Sequence, residues 1–137
     1  MAKRGDFVLN SMVGPGSKVA GNIESAGFTR VDGSIQGNIN SKGGVIIGSN
    51  SRLKGDIRGT AVTVSGVVQG NILASERITV LATGLVLGDI ITMRIQADDG
   101  CLIDGRIVVC QNSEQWDQAI AEYQDREKIR FALSGNS

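Results

Sequence analysis

The sequence predicts an all-β fold: a single-stranded parallel β-helix of about six short windings, followed by a short C-terminal α-helix. Three observations carry this expectation. A glycine is followed two residues later by isoleucine six times at nearly even spacing, and the residue two before each of these glycines is aliphatic. Beyond residue 112 the apolar period lengthens from that of a strand to that of a helix.

The six copies are Gly21-Asn22-Ile23, Gly37-Asn38-Ile39, Gly55-Asp56-Ile57, Gly70-Asn71-Ile72, Gly88-Asp89-Ile90 and Gly105-Arg106-Ile107. The steps between their glycines are 16, 18, 15, 18 and 17 residues, and a repeat near 17 marks a stacked architecture. Two positions before the glycines stand Val19, Ile35, Leu53, Val68, Val86 and Ile103. Alternation puts these twelve aliphatic residues on one face of short strands. The positions directly before the glycines, Ala20, Gln36, Lys54, Gln69, Leu87 and Asp104, are mostly polar and face water. Four positions before each glycine is another small residue: Ser17, Gly33, Ser51, Gly66, Gly84 or Cys101. Both small columns suit sharp bends, and Asn or Asp beside glycine favours turns.

A hairpin meander would show two-residue turns between longer strands, so the pattern reads instead as windings of a parallel β-helix. Three sides of five or six residues account for the period, and windings stacked about 4.8 Å apart would give a rod of roughly 25 to 30 Å. The isoleucine column then becomes an interior ladder, with Ile39, Ile57, Ile72 and Ile90 at its centre. Each such side chain contributes roughly 1.5 to 3 kcal/mol when fully buried. Val45-Ile46-Ile47, Val62-Thr63-Val64 and Ile78-Thr79-Val80 are matching strands on successive windings.

Composition narrows the function classes. The 137 residues hold 14 basic and 14 acidic side chains, so no net field draws the chain to nucleic acid. The N-terminus carries no apolar run of signal-peptide length, which predicts a cytoplasmic protein. With no histidine and only Cys101 and Cys110, the chain lacks the residues of a zinc site or a Cys/His nucleophile, and no catalytic, cofactor or metal residue is assigned. Both cysteines read as small buried or half-buried hydrophobes.

The chain divides into an N-terminal tail (1–11), a β-helix domain (12–110), and a C-terminal helix and tail (111–137). Trp116, Ala119, Ile120 and Tyr123 fall on one face of a helix running from Ser113 to about Phe131. Asn112 or Ser113 is its N-cap, and Arg126, Lys128 and Arg130 near its end complement the helix dipole. Its apolar face, Trp116, Ile120 and Tyr123, is expected on the last winding or its flank, as a partial cap or a regulator of assembly. A β-helix also exposes unpaired backbone over an apolar core at its first and last windings. Candidate assembly residues are therefore Ile103, Ile107 and Val109 at the C-terminal end, and Val13, Val19 and Ile23 at the N-terminal end.

Residues 12 to 109 resemble the bactofilin domain, through Val31-Asp32-Gly33-Ser34-Ile35-Gln36-Gly37-Asn38-Ile39, Ile46-Ile47-Gly48 through Leu53-Lys54-Gly55-Asp56-Ile57, and Gly100-Cys101-Leu102-Ile103-Asp104-Gly105-Arg106-Ile107. The resemblance implies a right-handed, three-sided β-helix whose subunits join through their ends into homopolymeric filaments without nucleotide. It favours non-polar filaments over head-to-tail ones, and it implies a scaffold for cell-shape and envelope proteins at the inner membrane of a bacterium. Bactofilins commonly carry Phe where Ile103 stands, and often have proline-containing tails in place of this helix. Some attach to membrane through an apolar N-terminus; here Phe7, Val8 and Leu9 follow Lys3 and Arg4, with Asp6 and Asn10 interrupting.

Competing readings have less support. Val13-Gly14-Pro15-Gly16-Ser17-Lys18-Val19 and Ile47-Gly48-Ser49-Asn50-Ser51-Arg52-Leu53 look like hexapeptide repeats of left-handed β-helix acyltransferases. Those enzymes generally use histidine as base, and a strict hexapeptide register predicts steps of 18. An ice- or polysaccharide-binding face would need a repeated Thr or aromatic column. Gly14-Pro15-Gly16-Ser17-Lys18 lacks phosphate-loop spacing, Arg4-Gly5-Asp6 is a chance tripeptide, and Asp98, Asp99 and Asp104 match no calcium loop.

Overall fold

A computed structural model describes the backbone of residues 9–134 and the side chains of residues 13–129. Short strands wind into a β-solenoid of three faces. The first face consists of β2 (Lys18–Ala20), β5 (Ser34–Gln36), β8 (Arg52–Lys54), β10 (Val67–Gln69), β12 (Leu85–Leu87) and β15 (Leu102–Asp104), hydrogen-bonded in that order as a six-stranded parallel sheet. Val19, Ile35, Leu53, Val68, Val86 and Ile103 stand in one register column on it.

The second face begins with β3 (Ile23–Ser25) and β6 (Ile39–Ser41) and ends with β13 (Ile90–Thr92) and β16 (Ile107–Val109). The third holds β1 (Leu9–Val13), β4 (Phe28–Val31), β7 (Val45–Ile47) and β14 (Ile95–Ala97). Two longer strands, β9 (Ile57–Val64) and β11 (Ile72–Val80), bend through the corner and serve both faces, which merges them into one 10-stranded sheet. Each face is thus six rungs deep. β1 starts inside the segment expected as a tail, with Leu9 paired to Phe28 and Ser11 to Thr29.

The drift of the repeat from 15 to 18 residues sits in two of the three corners. The turn onto the first face takes six positions from Ile47 to Leu53 but four from Val64 to Val68; the corner onto the third takes six from Ile39 to Val45 but five from Ile57 to Val62. The glycine corner between the first and second faces is always the same length. Inward side chains from all three faces form one core in which Ile39, Ile57, Ile72 and Ile90 are fully buried, along with Val45, Val62, Ile78 and Val80. Leu53, Val68 and Val86 fill the first-face side of that core.

The invariant corner is held by two columns. The glycines stack main chain on main chain: Gly55 sits at φ +149°, and a Cβ there would drive into the carbonyl oxygen of Gly37 one rung away. Beside them the polar residues form a ladder. Asn22 Oδ1 accepts the backbone N–H of Asn38 at 3.0 Å, Asn38 that of Asp56 at 2.8 Å, and Asp56 that of Asn71 at 2.9 Å. Asn71 accepts from Asp89 at 2.9 Å, and Asp89 from Arg106 at 3.0 Å. These side chains therefore do more than favour a turn: each satisfies a donor of the following rung.

Helix α1 (Ser113–Ser134) begins directly after the last rung. Asn112 caps it, its Oδ1 accepting the Gln115 N–H at 2.8 Å, while Gln115 Oε1 accepts the Gln111 N–H at 2.7 Å. The helix continues past the expected end near Phe131, because Ala132 and Leu133 sustain it, and its last turn carries no basic residue. The expected pairing of Arg126, Lys128 and Arg130 with the dipole of the final turn is therefore corrected. The helix runs back along the second face. Ile120 and Tyr123 pack on Leu73, Ile91 and Cys110, with Trp116 and Ala119 at the margin. The Tyr123 hydroxyl donates to Asp56 Oδ2 at 3.0 Å and accepts from Asn71 Nδ2 at 3.1 Å, which fastens the helix to the corner ladder. Burial, reinforced by the Asp56 carboxylate, pushes the Tyr123 phenol up to about 12, while the Asn71 hydrogen bond opposes the shift.

Two outcomes are expected. Gly55→Ala should lower stability by about 2 to 4 kcal/mol, read as a reduced urea midpoint at unchanged slope, since the new methyl has no space and the backbone is left-handed. Because the Tyr123 proton is held more tightly in the folded chain, its contribution is complete below about pH 10 and is lost as pH rises towards 12. The emission maximum of Trp116, at the margin of the helix contact, should move to the red across that window in the wild type and stand red-shifted already at neutral pH in Tyr123→Phe.

Candidate assembly surfaces

The C-terminal end of the rod is β14, β15 and β16, with no rung beyond them among the described residues. Their inward side chains, which deeper in the rod would be covered on both sides, are open on one. Ile103 is half-buried and packed on the core, whereas Ile107 is 44% exposed and Val109 46%. Leu102, at 59%, and Val108, at 36%, flank them on the outward side of the same rung. The α1 helix does not close this end, because its apolar residues find partners on the flank. The expected partial cap is thus a flank contact.

Leu102 and Val108 escape a reading based on the inward columns alone, although the outward columns carry the signal. On the second face the outward residues run Glu24, Asn40 and Arg58, then Leu73, Ile91 and Val108. Polar rungs give way to apolar ones halfway along the rod. Leu73 and Ile91 lie under α1, and Val108 is left at the open end. Val109 shows a related change: its column holds Ser25, Ser41, Gly59, Ala74 and Thr92 on earlier rungs, so a bulky apolar side chain enters it only at the end.

At the N-terminal end, β1, β2 and β3 form the first rung. Val13 is 7% exposed, while Val19 and Ile23 are half-buried and packed on the core. Leu9 opens β1, and Phe7 and Val8, named with it as a membrane contact, lie outside the described residues. At the corner, Asn22 starts the polar ladder and Arg106 ends it, its guanidinium 3.7 Å from Asp89.

The outer surface of the first face carries a groove of about 390 Å³ along the rod, bordered by Lys18, Ala20, Gln36, Arg52, Lys54 and Gln69. From Val67, which lines its far end, the same face becomes apolar through Leu85, Leu87 and Leu102. Among the described residues, no three His, Cys, Asp or Glu side chains are gathered to hold a metal, and no helix is long and apolar enough to cross a membrane. Cys110 is buried beneath α1, and burial raises its thiol pKa; Cys101 is half-buried, and both are free.

The sequence profile of the bactofilin family, described as polymer-forming cytoskeletal, matches residues 11–108. Bactofilin BacP of Myxococcus xanthus is 30% identical over 100 residues, which cover 73% of this chain and 42% of BacP. Bactofilin BacO of the same organism is 27% identical over 105 residues, covering 77% of this chain and 83% of BacO. The chain thus spans less than half the length of BacP and most of that of BacO. A cryo-EM reconstruction of Thermus thermophilus bactofilin double helical filaments superposes with a TM-score of 0.70, at 22% identity, over 73% of this chain and 99% of that one. That likeness extends to the solenoid fold, while α1 lies beyond the profile match. With the ordered glycine corners, the stacked isoleucines and a profile match across the whole solenoid, the chain belongs to the bactofilins, a family of polymer-forming cytoskeletal proteins.

Proposed function

We propose that this chain is a cytoskeletal scaffold subunit whose rods join through their end rungs into filaments without nucleotide. The observation that carries this reading is the last rung, where Leu102, Ile107, Val108 and Val109 are exposed beside an unpaired strand edge that α1 leaves open. A second copy placed on that end would bury apolar surface worth roughly 25 cal/mol per Å² and pair the edge backbone groups. Ile103, Ile107 and Val109 form the C-terminal contact, and Val13, Val19 and Ile23 the N-terminal one.

The corner ladder is confined to one subunit. In a head-to-tail joint Asn22 of the next copy would stand over Arg106, whose guanidinium only donates, so the ladder would stop at each junction. A chain with no histidine has a structural, non-catalytic role on this reading, and nothing favours the acyltransferase alternative. The filaments would form in the bacterial cytoplasm and organise cell-shape or envelope proteins at the inner face of the membrane, with Phe7, Val8 and Leu9 as the membrane contact.

Ile107→Arg places a charge in the joint while leaving the buried core untouched, whereas Ile103→Arg would strain core and joint together. Negative-stain microscopy without nucleotide should show filaments for the wild type and dispersed particles for Ile107→Arg with wild-type circular dichroism. A wild type that stays monomeric, or a folded variant that polymerises normally, would sink this assignment.

A further inference from the structure

Two surfaces of the chain carry opposite charge and similar length, and their charged residues take no part in the end joints. One is the groove of the first face, with Lys18 on the first rung and Arg52 and Lys54 on the third, all exposed. The other is the outer side of α1. Trp116, Ile120 and Tyr123 turn inward, so at 100° per residue Glu114 and Asp125 fall on the opposite side, with Asp117 and one cation, Lys128, about 100° to 120° round from Trp116, and all four are exposed. Among the described residues, none of these seven charged side chains takes part in an ion pair.

We propose that the groove of one rod receives the acidic outer side of α1 from a second copy of this chain, so that rods associate side by side. Groove and helix both run along the rod axis, which makes the contact lateral. From Glu114 to Asp125 the helix extends about 16 Å, and the four rungs lining the groove extend about 14 Å. The order of chemistry along each surface also sets the direction. The groove passes from cations on the early rungs to Leu87 and Leu102 on the late ones, and the helix passes from its carboxylates to Ile129, which is 60% exposed. Ile129 lies about 22 Å beyond Glu114, and Leu102 lies about 24 Å beyond Lys18. Carboxylates meet cations and Ile129 meets leucine only if the docked helix runs from the first rung towards the last. Within its own subunit the helix runs the other way, from the last rung to the Asp56 corner, so the two rods lie antiparallel.

A second copy presenting its own first face fits poorly. Parallel alignment would set Lys18, Arg52 and Lys54 against themselves, and antiparallel alignment would set them against leucines. Groove and helix are different surfaces, so each copy offers one of each and lateral addition can repeat. The helix lies outside the family match at 11–108, so this contact belongs to the chain's own extension and not to the shared solenoid.

The test is zero-length carbodiimide cross-linking of a mixture of light and heavy-isotope protein, read by mass spectrometry. It is run on the wild type and on Ile107→Arg, so that loss of end joints and loss of lateral contact are read separately. Inter-copy links from Lys18 or Lys54 to Glu114, Asp117 or Asp125 are expected in both, falling several-fold between about 50 and about 500 mM salt. Lys54→Glu should remove them, as should Asp125→Lys, and an equal mixture of the two variants should restore a link between position 54 of one and position 125 of the other. Absence of these links in both proteins, or links unaffected by salt and by either charge reversal, would overturn the proposal. So would a groove that binds phosphatidylserine vesicles through the same lysines while no inter-copy link forms, which would assign it to an anionic membrane.

Discussion

Rung-to-rung contact at the glycine corner is the constraint on which the remaining structure depends. There glycine stacks on glycine, main chain to main chain, at each step along the rod, whereas the other corners show such contact only at some rungs, and of the three corners it alone keeps one length on all six described rungs. Its neighbours tolerate insertions. The turn onto the first face takes two extra residues without disturbing the register on either side, because those residues loop outward and leave the inward columns aligned. A fixed corner and two adjustable ones explain how a repeat of irregular length still builds a regular core. The polar ladder along the fixed corner serves the same end, tying each rung to the next by a side-chain oxygen that would otherwise only face water.

Much of this was legible in the sequence because the constraint is local. Glycine two before isoleucine, with an aliphatic residue two before glycine, is a pattern that backbone crowding imposes at every rung, so one chain displays it six times. The inward columns followed directly, as did the matching strands Val45–Ile47, Val62–Val64 and Ile78–Val80. The position of α1 was harder to read. Its apolar residues were visible, but their partners Leu73 and Ile91 occupy outward positions, where a reading tuned to the inward columns expects water. The Asp56 and Asn71 contacts of Tyr123 join residues 67 and 52 positions apart, beyond the reach of any local pattern. Leu102 and Val108 are hard to read for the same reason as Leu73: the outward columns in which they stand, one on each face, become apolar only in the second half of the rod.

Placement of the helix on the flank divides the surface into parts with different roles. Apolar side chains that would otherwise face solvent at the fourth and fifth rungs are covered by α1, and those of the sixth remain open. A chain that needed only to avoid exposing Leu73 and Ile91 could have used polar residues there, as it does at Asn40 and Arg58. The short connection from Val109 to Ser113 keeps the helix beside the end rung, and Cys110 is buried under it. Changes at the helix and at the last rung are therefore mechanically close, even though their contacts do not overlap.

The uniform depth of the faces has a metrical consequence. Six rungs at about 4.8 Å give each subunit an axial length of about 29 Å, set by backbone hydrogen bonding and not by side-chain packing. Rods laid end to end would mark that interval along a polymer, with one α1 lying on the flank of each subunit. Anything that reads the helix would meet it at spacings that are sums of whole rungs, and gain or loss of a single rung would reset the interval without altering either end. The solenoid is in this sense a ruler, graduated by its own backbone.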